Sequence, residues 1–454
     1  MSDKIETTNP YSGKKLKSYD LMDRDKVESK LELSEQSFQQ WKTRSLSERV
    51  NLIGQVAEVL THNLTDYANI ITQEMGKPIS ESKSEIEKCV WLCDFYKKNA
   101  NQFLADALIK TEATESFISY DPLGVVLAVM PWNYPFWQVM RFAIPTLTAG
   151  NTALLKHASN VTGCAMVIQD IFEKAGYPKG CFQTLITSHE NIENIIGDRR
   201  LKAVSLTGSE KAGRKIAQIA GKHLKKTVLE LGGNNACVIL DDANLDKYLD
   251  IMVKARMQNT GQSCIAAKRF IVVESIYDEF LKKFTTKVEG LKEGDPMKEN
   301  TDITVLARPD LADTLYEQVD KSISKGAKIY YGNKYKGAYY QPTIVTEVQA
   351  GMPIFEEETF GPVAAIIKVK DEDEAYNVLS NTKFGLGTML FTENIDKARK
   401  RILDVGDGAF FINEMVKSDP RLPFGGTRAS GYGRELSKEG IMEFVNKKTV
   451  YINQ

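Results

Sequence analysis

From Val125 onward the sequence alternates short apolar runs with amphipathic stretches, and that grammar admits few folds. Val125–Val129 is a brief apolar run of the kind that buries both faces in a parallel sheet. A helix is predicted near Trp137–Leu147, a strand at Thr152–Lys156, and a helix over Thr162–Ala175 that ends at Gly176. Ala203–Leu206 reads as the next strand, followed by a helix near Glu210–Ile219 ending at Gly221, then strands at Val228–Leu231 and Cys237–Leu240. Beyond Gly232 the style repeats, with helices at Leu245–Met257 and Ile276–Val288 and strands at Phe270–Val273, Lys328–Tyr331, Ala364–Val369 and Thr388–Phe391. Strands separated by helices imply an α/β fold with parallel sheets covered on both faces.

The segment before this pattern is different. From Asp23 to Ala107 apolar residues recur at three- and four-residue spacing, predicting helices at Glu28–Trp41, Leu46–Leu64 and Ser84–Leu104. Glu115–Tyr120 alternates and runs into Pro122, which suggests an exposed strand. Thr449–Asn453 is β-branched and aromatic, and needs an edge to join. Glu115–Tyr120 or the sheet of a partner subunit would supply one. At 454 residues the chain exceeds one ordinary core, so two large domains and a small extra module are expected. No internal repeat is visible.

Charge and cysteine usage narrow the function. A net charge of −1 argues against neutralising a nucleic-acid backbone. The six cysteines are scattered, as in thiols kept reduced in a cytosol. Cys89 and Cys93, four apart on a predicted helix with no second pair at zinc spacing, read as buried packing. The polar N-terminus has no apolar signal core, and Leu123–Pro131 is too short to cross a bilayer. A cytoplasmic protein with no metal is expected.

Four local patterns carry chemistry. Cys264 lies on a Gly-containing loop, Asn259-Thr260-Gly261-Gln262-Ser263-Cys264, between a helix and a strand. Lys268 and Arg269 are close in sequence, and a nearby cation would draw its thiol toward neutrality; a buried structural cysteine fits the same loop. Glu230, between Leu229 and Leu231 and before two glycines, suits a general base if buried and a solvent-facing strand residue if not. Asn133, held in Pro131-Trp132-Asn133-Tyr134-Pro135, can aim an amide N–H at an oxyanion or simply fill a turn. Thr207-Gly208-Ser209 follows a strand and opens a helix, where free N–H groups meet a phosphate, although this is not GxGxxG.

In their order and contexts these patterns match one family. The chain resembles the aldehyde dehydrogenase superfamily over nearly its whole length, through PWNYP (Pro131–Pro135), LTGS (Leu206–Ser209), LELGGNN (Leu229–Asn235), GQSC (Gly261–Cys264), EEETFGPV (Glu356–Val363) and PFGGTRASGYGRE (Pro423–Glu435). LLKHASNVTGCA and QNTGQSCIAAKRF look most like the shorter bacterial succinate-semialdehyde dehydrogenases. The resemblance implies two Rossmann-like parallel-sheet domains and a small β oligomerisation element. Residues 1–107 and 123–231 would form a dinucleotide-binding domain and 232–430 a catalytic domain. Residues 108–122 and 431–454 would assemble a homodimer or homotetramer.

It also implies NAD(P)-dependent oxidation of an aldehyde to a carboxylate, succinate semialdehyde first. Cys264 would be the nucleophile, with Asn133 and the Cys264 N–H as oxyanion hole, Glu230 as the base for the deacylating water and Glu435 as a second proton relay. Trp132, Lys156, Ser159, Gly208, Ser209, Glu358 and Phe360 would bind the dinucleotide. Three positions depart from family patterns. Strict NAD users often carry a glutamate where Ser159 stands, and an acid there would repel a 2′-phosphate, so NADP should be accepted. Arg141 stands where succinate-semialdehyde enzymes place a carboxylate-binding arginine, but Gln258 replaces their second one, so carboxylate recognition would be weaker than in those relatives or would use other groups, such as Lys268, Lys417 or Arg421. Ala266 removes the second cysteine of a local redox switch. The alternatives are a neutral-aldehyde dehydrogenase, a CoA-acylating relative that would not need Glu230, a silent binding or structural protein of this fold, and a thiol hydrolase that would not need Lys156, Ser209 and Glu358 together.

Overall fold

Two parallel sheets, each closed at one edge by an antiparallel strand, organise the chain. In this computed structural model residues 4–454 are described, apart from the side chain of His189. The first sheet has six strands in the order Gly431–Tyr432, Lys226–Glu230, Leu201–Thr207, Val125–Met130, Thr152–His157, Phe182–Thr184. Only Gly431–Tyr432 runs antiparallel to its neighbour. The second sheet has seven, in the order Lys328–Tyr331, Thr343–Thr346, Val363–Val369, Arg269–Val273, Ala236–Ile239, Thr388–Phe391, Phe410–Ile412, with Lys328–Tyr331 antiparallel. This is the expected α/β arrangement, because strands such as Thr152–His157 and Arg269–Val273 are buried at every residue.

Four helices precede the first sheet: Arg24–Trp41, Leu46–His62, Leu64–Met75 and Ile79–Phe103. The capping box of Ser45 and Glu48 starts the second, and the third stops at Gly76, whose φ of 79° lies in the left-handed region. Ile79–Phe103 begins five residues before the expected Ser84, directly behind Pro78. With the helix Trp137–Thr148, buried along its whole length, these helices enclose the largest core cluster, which includes Trp41, Ile86, Phe142 and both Cys89 and Cys93. The cysteine pair is therefore packing, as expected.

Further features depart from the sequence reading. Lys4–Thr8 and Lys15–Asp20 form a hairpin that the polar N-terminus did not suggest. Gly221 lies inside the helix Glu210–Lys222, whose C-cap is His223; the left-handed residue that closes the helix is Leu224 (φ 53°), not the glycine. Helices at Pro309–Ile323 and Glu372–Ser380 add to the second α/β unit. The C-terminal strand is longer than expected, Val445–Ile452, and pairs antiparallel with Glu115–Pro122 of its own chain, Val445 opposite Pro122 and Ile452 opposite Glu115. Ala107–Leu108 completes that three-stranded sheet. Among the described residues, no helix is long and apolar enough to cross a membrane.

Candidate active site

Cys264 is delivered by a strained loop held at many points. The helix Leu245–Met257, capped by the Asn244 side chain, leads into a turn in which Asn259 (φ 55°), Thr260 (φ 52°) and Gly261 (φ 73°) are all left-handed. Asn adopts that region readily and β-branched Thr does not, so the surroundings must hold the turn. They do so with buried hydrogen bonds. Asn259 Nδ2 donates to Asn133 O (2.9 Å) and Gln262 O (3.1 Å), and Ala307 N donates to Gln262 Oε1 (2.9 Å). A Cβ at Gly261 would run into the Gly361 carbonyl. Past the turn, Lys268 Nζ donates to Ser263 O (3.0 Å) and Cys264 O (2.8 Å), and Asn235 Nδ2 also donates to Cys264 O (2.6 Å).

The Asn133 turn is clamped as firmly. His157 Nε2 is 3.0 Å from Pro135 O, and Glu85 Oε1 accepts from the N–H groups of Phe136 (2.8 Å) and Trp137 (2.9 Å). Asn133 Nδ2 donates to Gln262 O (3.1 Å), which docks the turn onto the cysteine loop. One amide hydrogen is spent in that bond and the other remains.

Two cavities meet at this junction, and Cys264 and Gln138 border both. The larger, about 400 Å³, is lined by Trp132, Asn133, Gly208, Ser209, Glu358 and Phe360. Trp132 and Phe360 face each other edge-on with centroids 5.6 Å apart. Ser209 caps the helix Glu210–Lys222 by accepting from Ala212 N, so the N-terminus of a 13-residue helix opens here. Glu358 Oε1 accepts from Gly233 N (3.1 Å) and pairs with Lys268 (3.0 Å). Lys156 and Ser159 lie off the cavity wall, at the C-terminal end of the adjacent strand, where Lys156 pairs in register with Val129. Ser159 is exposed. Lys156 is buried and its ammonium makes no ion pair or hydrogen bond among the described residues, and burial pushes it down to about 8. A lone buried ammonium and a helix N-terminus, both at the carboxyl edge of one parallel sheet, fit a dinucleotide.

The smaller cavity, about 150 Å³, is of the order that holds a molecule the size of benzene. Arg141, Gln258, Lys417 and Phe424 line it. One face of Ile79–Phe103 also contributes Glu81, Ser84, Glu85 and Lys88, and Ser418 lies opposite. These α-helical residues are functional candidates that the sequence reading passed over. Their spacing marks a polar stripe, which in a sequence looks like a solvated face.

Electrostatics separate the remaining residues. Glu230 is 2% exposed with no hydrogen bond to either carboxylate oxygen; burial, then Glu435, hold its carboxyl well above the usual range. It lies against Gly425 and lines neither cavity. Glu435 is also buried and also raised, and it forms an ion pair with Arg141 Nε. The guanidinium of Arg141 stacks 4.7 Å over Phe424. The two residues expected as substrate ligand and proton relay are thus bonded to each other. Cys264 departs from expectation: burial pushes its thiol up to about 11, against the opposing pull of Arg141 and Lys268. Lys268 and Arg421 are corrections as substrate ligands, since neither lines the small cavity. Lys268 is fully buried and spends its N–H groups on the loop and Glu358, and Arg421 is paired with Asp419 (2.6 Å) at the surface. Lys417 does line the cavity, with its ammonium paired to Glu414 (2.8 Å).

Known proteins point the same way. The model of the aldehyde dehydrogenase family matches residues 1–450. The probable NADP(+) succinate-semialdehyde dehydrogenase of Synechocystis is 46% identical over 451 residues, covering 99% of each chain. Succinate-semialdehyde dehydrogenase (NADP(+)) 1 of Mycobacterium tuberculosis is 42% identical over 454 residues, again covering 99% of both. The crystal structure of succinic semialdehyde dehydrogenase from Streptococcus pyogenes, in complex with NADP+, superposes with a TM-score of 0.97 at 36% identity, covering 99% of this chain and 100% of that one.

Proposed function

This chain belongs to the aldehyde dehydrogenase family, and from that premise we propose that it oxidises succinate semialdehyde to succinate with NADP, by way of a thiohemiacetal and a thioester on Cys264. The observation that carries the reading is the position of Cys264, the one nucleophile on the wall shared by the larger cavity, with its helix N-terminus, and the small one lined by Lys88, Arg141 and Lys417. Ser209 with the helix start and Lys156 would hold the dinucleotide phosphates and ribose, Glu358 and Phe360 its other ribose, and Trp132 its face. The bound dinucleotide supplies the hydride acceptor.

Cys264 gives its thiol proton to solvent, the resulting thiolate attacks the aldehyde carbon, and the free N–H of Asn133 with the Cys264 N–H receives the oxyanion. Loss of hydride leaves the thioester. Burial holds the proton of Glu230 at rest, so Glu230 acts as base once ionised and turned toward the thioester: it takes a proton from the attacking water as the C–S bond breaks and the Cys264 thiolate leaves. Glu435, beside it, passes that proton on. Arg141 and Gln258 border the chain of the aldehyde.

The wider organisation follows the same reading. Residues 1–107 and 123–231 are assigned to a dinucleotide-binding domain, 232–430 to a catalytic domain, and 108–122 with 431–454 to an element that assembles a homodimer or homotetramer. Cys89, Cys93, Cys164, Cys181, Cys237 and Cys264 are all free thiols, which suits the cytoplasm.

The test is initial-rate formation of reduced cofactor with succinate semialdehyde and with butanal, each with NAD and NADP. The expected result is a kcat/KM advantage of about a hundredfold for the semialdehyde, roughly 2.7 kcal/mol. Comparable rates would keep the family chemistry and remove this substrate. For the cofactor, Ser159→Glu should lower kcat/KM with NADP by about tenfold or more while NAD changes little, since like charge repels the 2′-phosphate. An unchanged preference would show that Ser159 does not face that phosphate.

A further inference from the structure

We propose that Lys88 is the group that binds the carboxylate of the aldehyde substrate, taking the place expected of a second arginine; this rests on the semialdehyde reading above. The small cavity offers three cations, Lys88, Arg141 and Lys417. Two already hold an acid. Arg141 is paired with Glu435 and stacked on Phe424, and Lys417 is paired with Glu414. Lys88 Nζ donates to the neutral Ser418 Oγ at 2.8 Å and lies 4.4 Å from the Trp137 ring. It makes no ion pair among the described residues, so two of its N–H groups remain available; burial, then Arg141, lower its ammonium to about 8, which leaves it mostly charged at pH 7. An ammonium half removed from water without a counter-ion is held at a cost that an incoming anion relieves.

The acids around Lys88 do not compete for it. Glu85, on the next turn of the same helix, is taken by Lys77 and by the N–H groups of Phe136 and Trp137. Glu81 accepts from Asn259 N (2.8 Å), and burial pushes its carboxyl up to about 7, which leaves much of it neutral at that pH. Asp419 is paired with Arg421. The net effect is a small cavity with the nucleophile on its wall and one unspent positive charge. That favours a short aldehyde ending in an anion over a neutral one of equal length. The alternative is that Lys88 serves only to hold Ser418 and Trp137 in place.

The experiment compares the full-length enzyme with Lys88→Met and Lys88→Arg, using succinate semialdehyde, butanal, and succinate as a dead-end competitor. Lys88→Met should raise KM for the semialdehyde by about thirtyfold and move butanal by no more than about threefold, with Lys88→Arg recovering most of the loss. The inhibition constant of succinate should rise in parallel. Equal losses on both aldehydes would assign Lys88 a structural role only and overturn the proposal, and so would an unchanged KM for the semialdehyde. Competition separates this proposal from the substrate reading. If succinate competes in the wild type and fails in Lys88→Met while the wild type does not prefer the semialdehyde, the anion site stands and the physiological substrate is a different acid aldehyde. If succinate does not compete in the wild type, Lys88 binds no carboxylate.

Discussion

At the scale of single residues, the site shows how little sequence proximity says about charge. Lys268, four residues from Cys264, has the right sign to activate a thiol. Its N–H groups instead go to two carbonyls of the loop and to Glu358, and burial dominates the thiol. Because the pKa is raised, the enzyme without cofactor carries a neutral thiol at pH 7, and its thiolate fraction rises about tenfold per pH unit toward about 11. Alkylation by iodoacetamide should therefore accelerate steadily from about pH 7 to pH 10 without a plateau, and Cys264→Ala should abolish it, since the other five cysteines are buried. A plateau near neutral pH would mean that a cation or base in the free enzyme outweighs burial. The same principle operates at Glu230, where the strand pattern left a solvent-facing reading open and burial makes the carboxyl hold its proton.

At the scale of elements, the cysteine loop explains why its glycine and asparagine stand where they do. Gly261 is left-handed and meets the Gly361 carbonyl, so Gly261→Ala combines an unfavourable φ with a collision against backbone. The expected outcome is a loss of about 2 kcal/mol or more in unfolding free energy by denaturant titration, and at least a hundredfold lower kcat. Wild-type kcat in this variant would show that the loop is not the positioning device. The loop's family blocks and most strands of both sheets were legible in sequence because continuous apolar runs bounded by turn residues have few other uses, whereas Phe182–Thr184, Thr343–Thr346, Phe410–Ile412 and Gly431–Tyr432, two to four residues each, were not. The hairpin of Lys4–Thr8 and Lys15–Asp20 was not, since most of its residues are exposed and leave no burial period. Nor was Lys88, because only tertiary packing turns the stripe Glu81, Ser84, Glu85, Lys88 from a surface into a cavity wall. Gly221 misled for the opposite reason: a glycine inside a helix writes the same letter as one that ends it.

For the whole molecule, the three-stranded sheet raises the question that the two large sheets do not. The large sheets bury their apolar strands within the chain, whereas Val445–Ile452 is an edge strand whose outer side has no partner among the described residues. It is eight residues long, and the same small sheet exposes Leu108 (79%), Tyr451 (53%) and Ile452 (39%). A long edge with apolar side chains is a template for pairing with another copy unless something covers it. If that edge assembles the oligomer, placing acids on it should separate the subunits without touching either cavity. Tyr451→Glu combined with Ile452→Glu is expected to lower the mass seen by light scattering to that of a smaller assembly. It should also weaken the dependence of the melting temperature on protein concentration, because a subunit interface stabilises by mass action. An unchanged mass would move the interface elsewhere on the surface. The catalytic loop, the Asn133 turn and Lys88 all lie in contacts within one chain, so loss of activity on dissociation would have to come through the packing of Glu115–Pro122 ahead of the strand Val125–Met130. That strand leads directly into Pro131–Pro135, which would give an assembly through this edge a short physical route to the oxyanion turn.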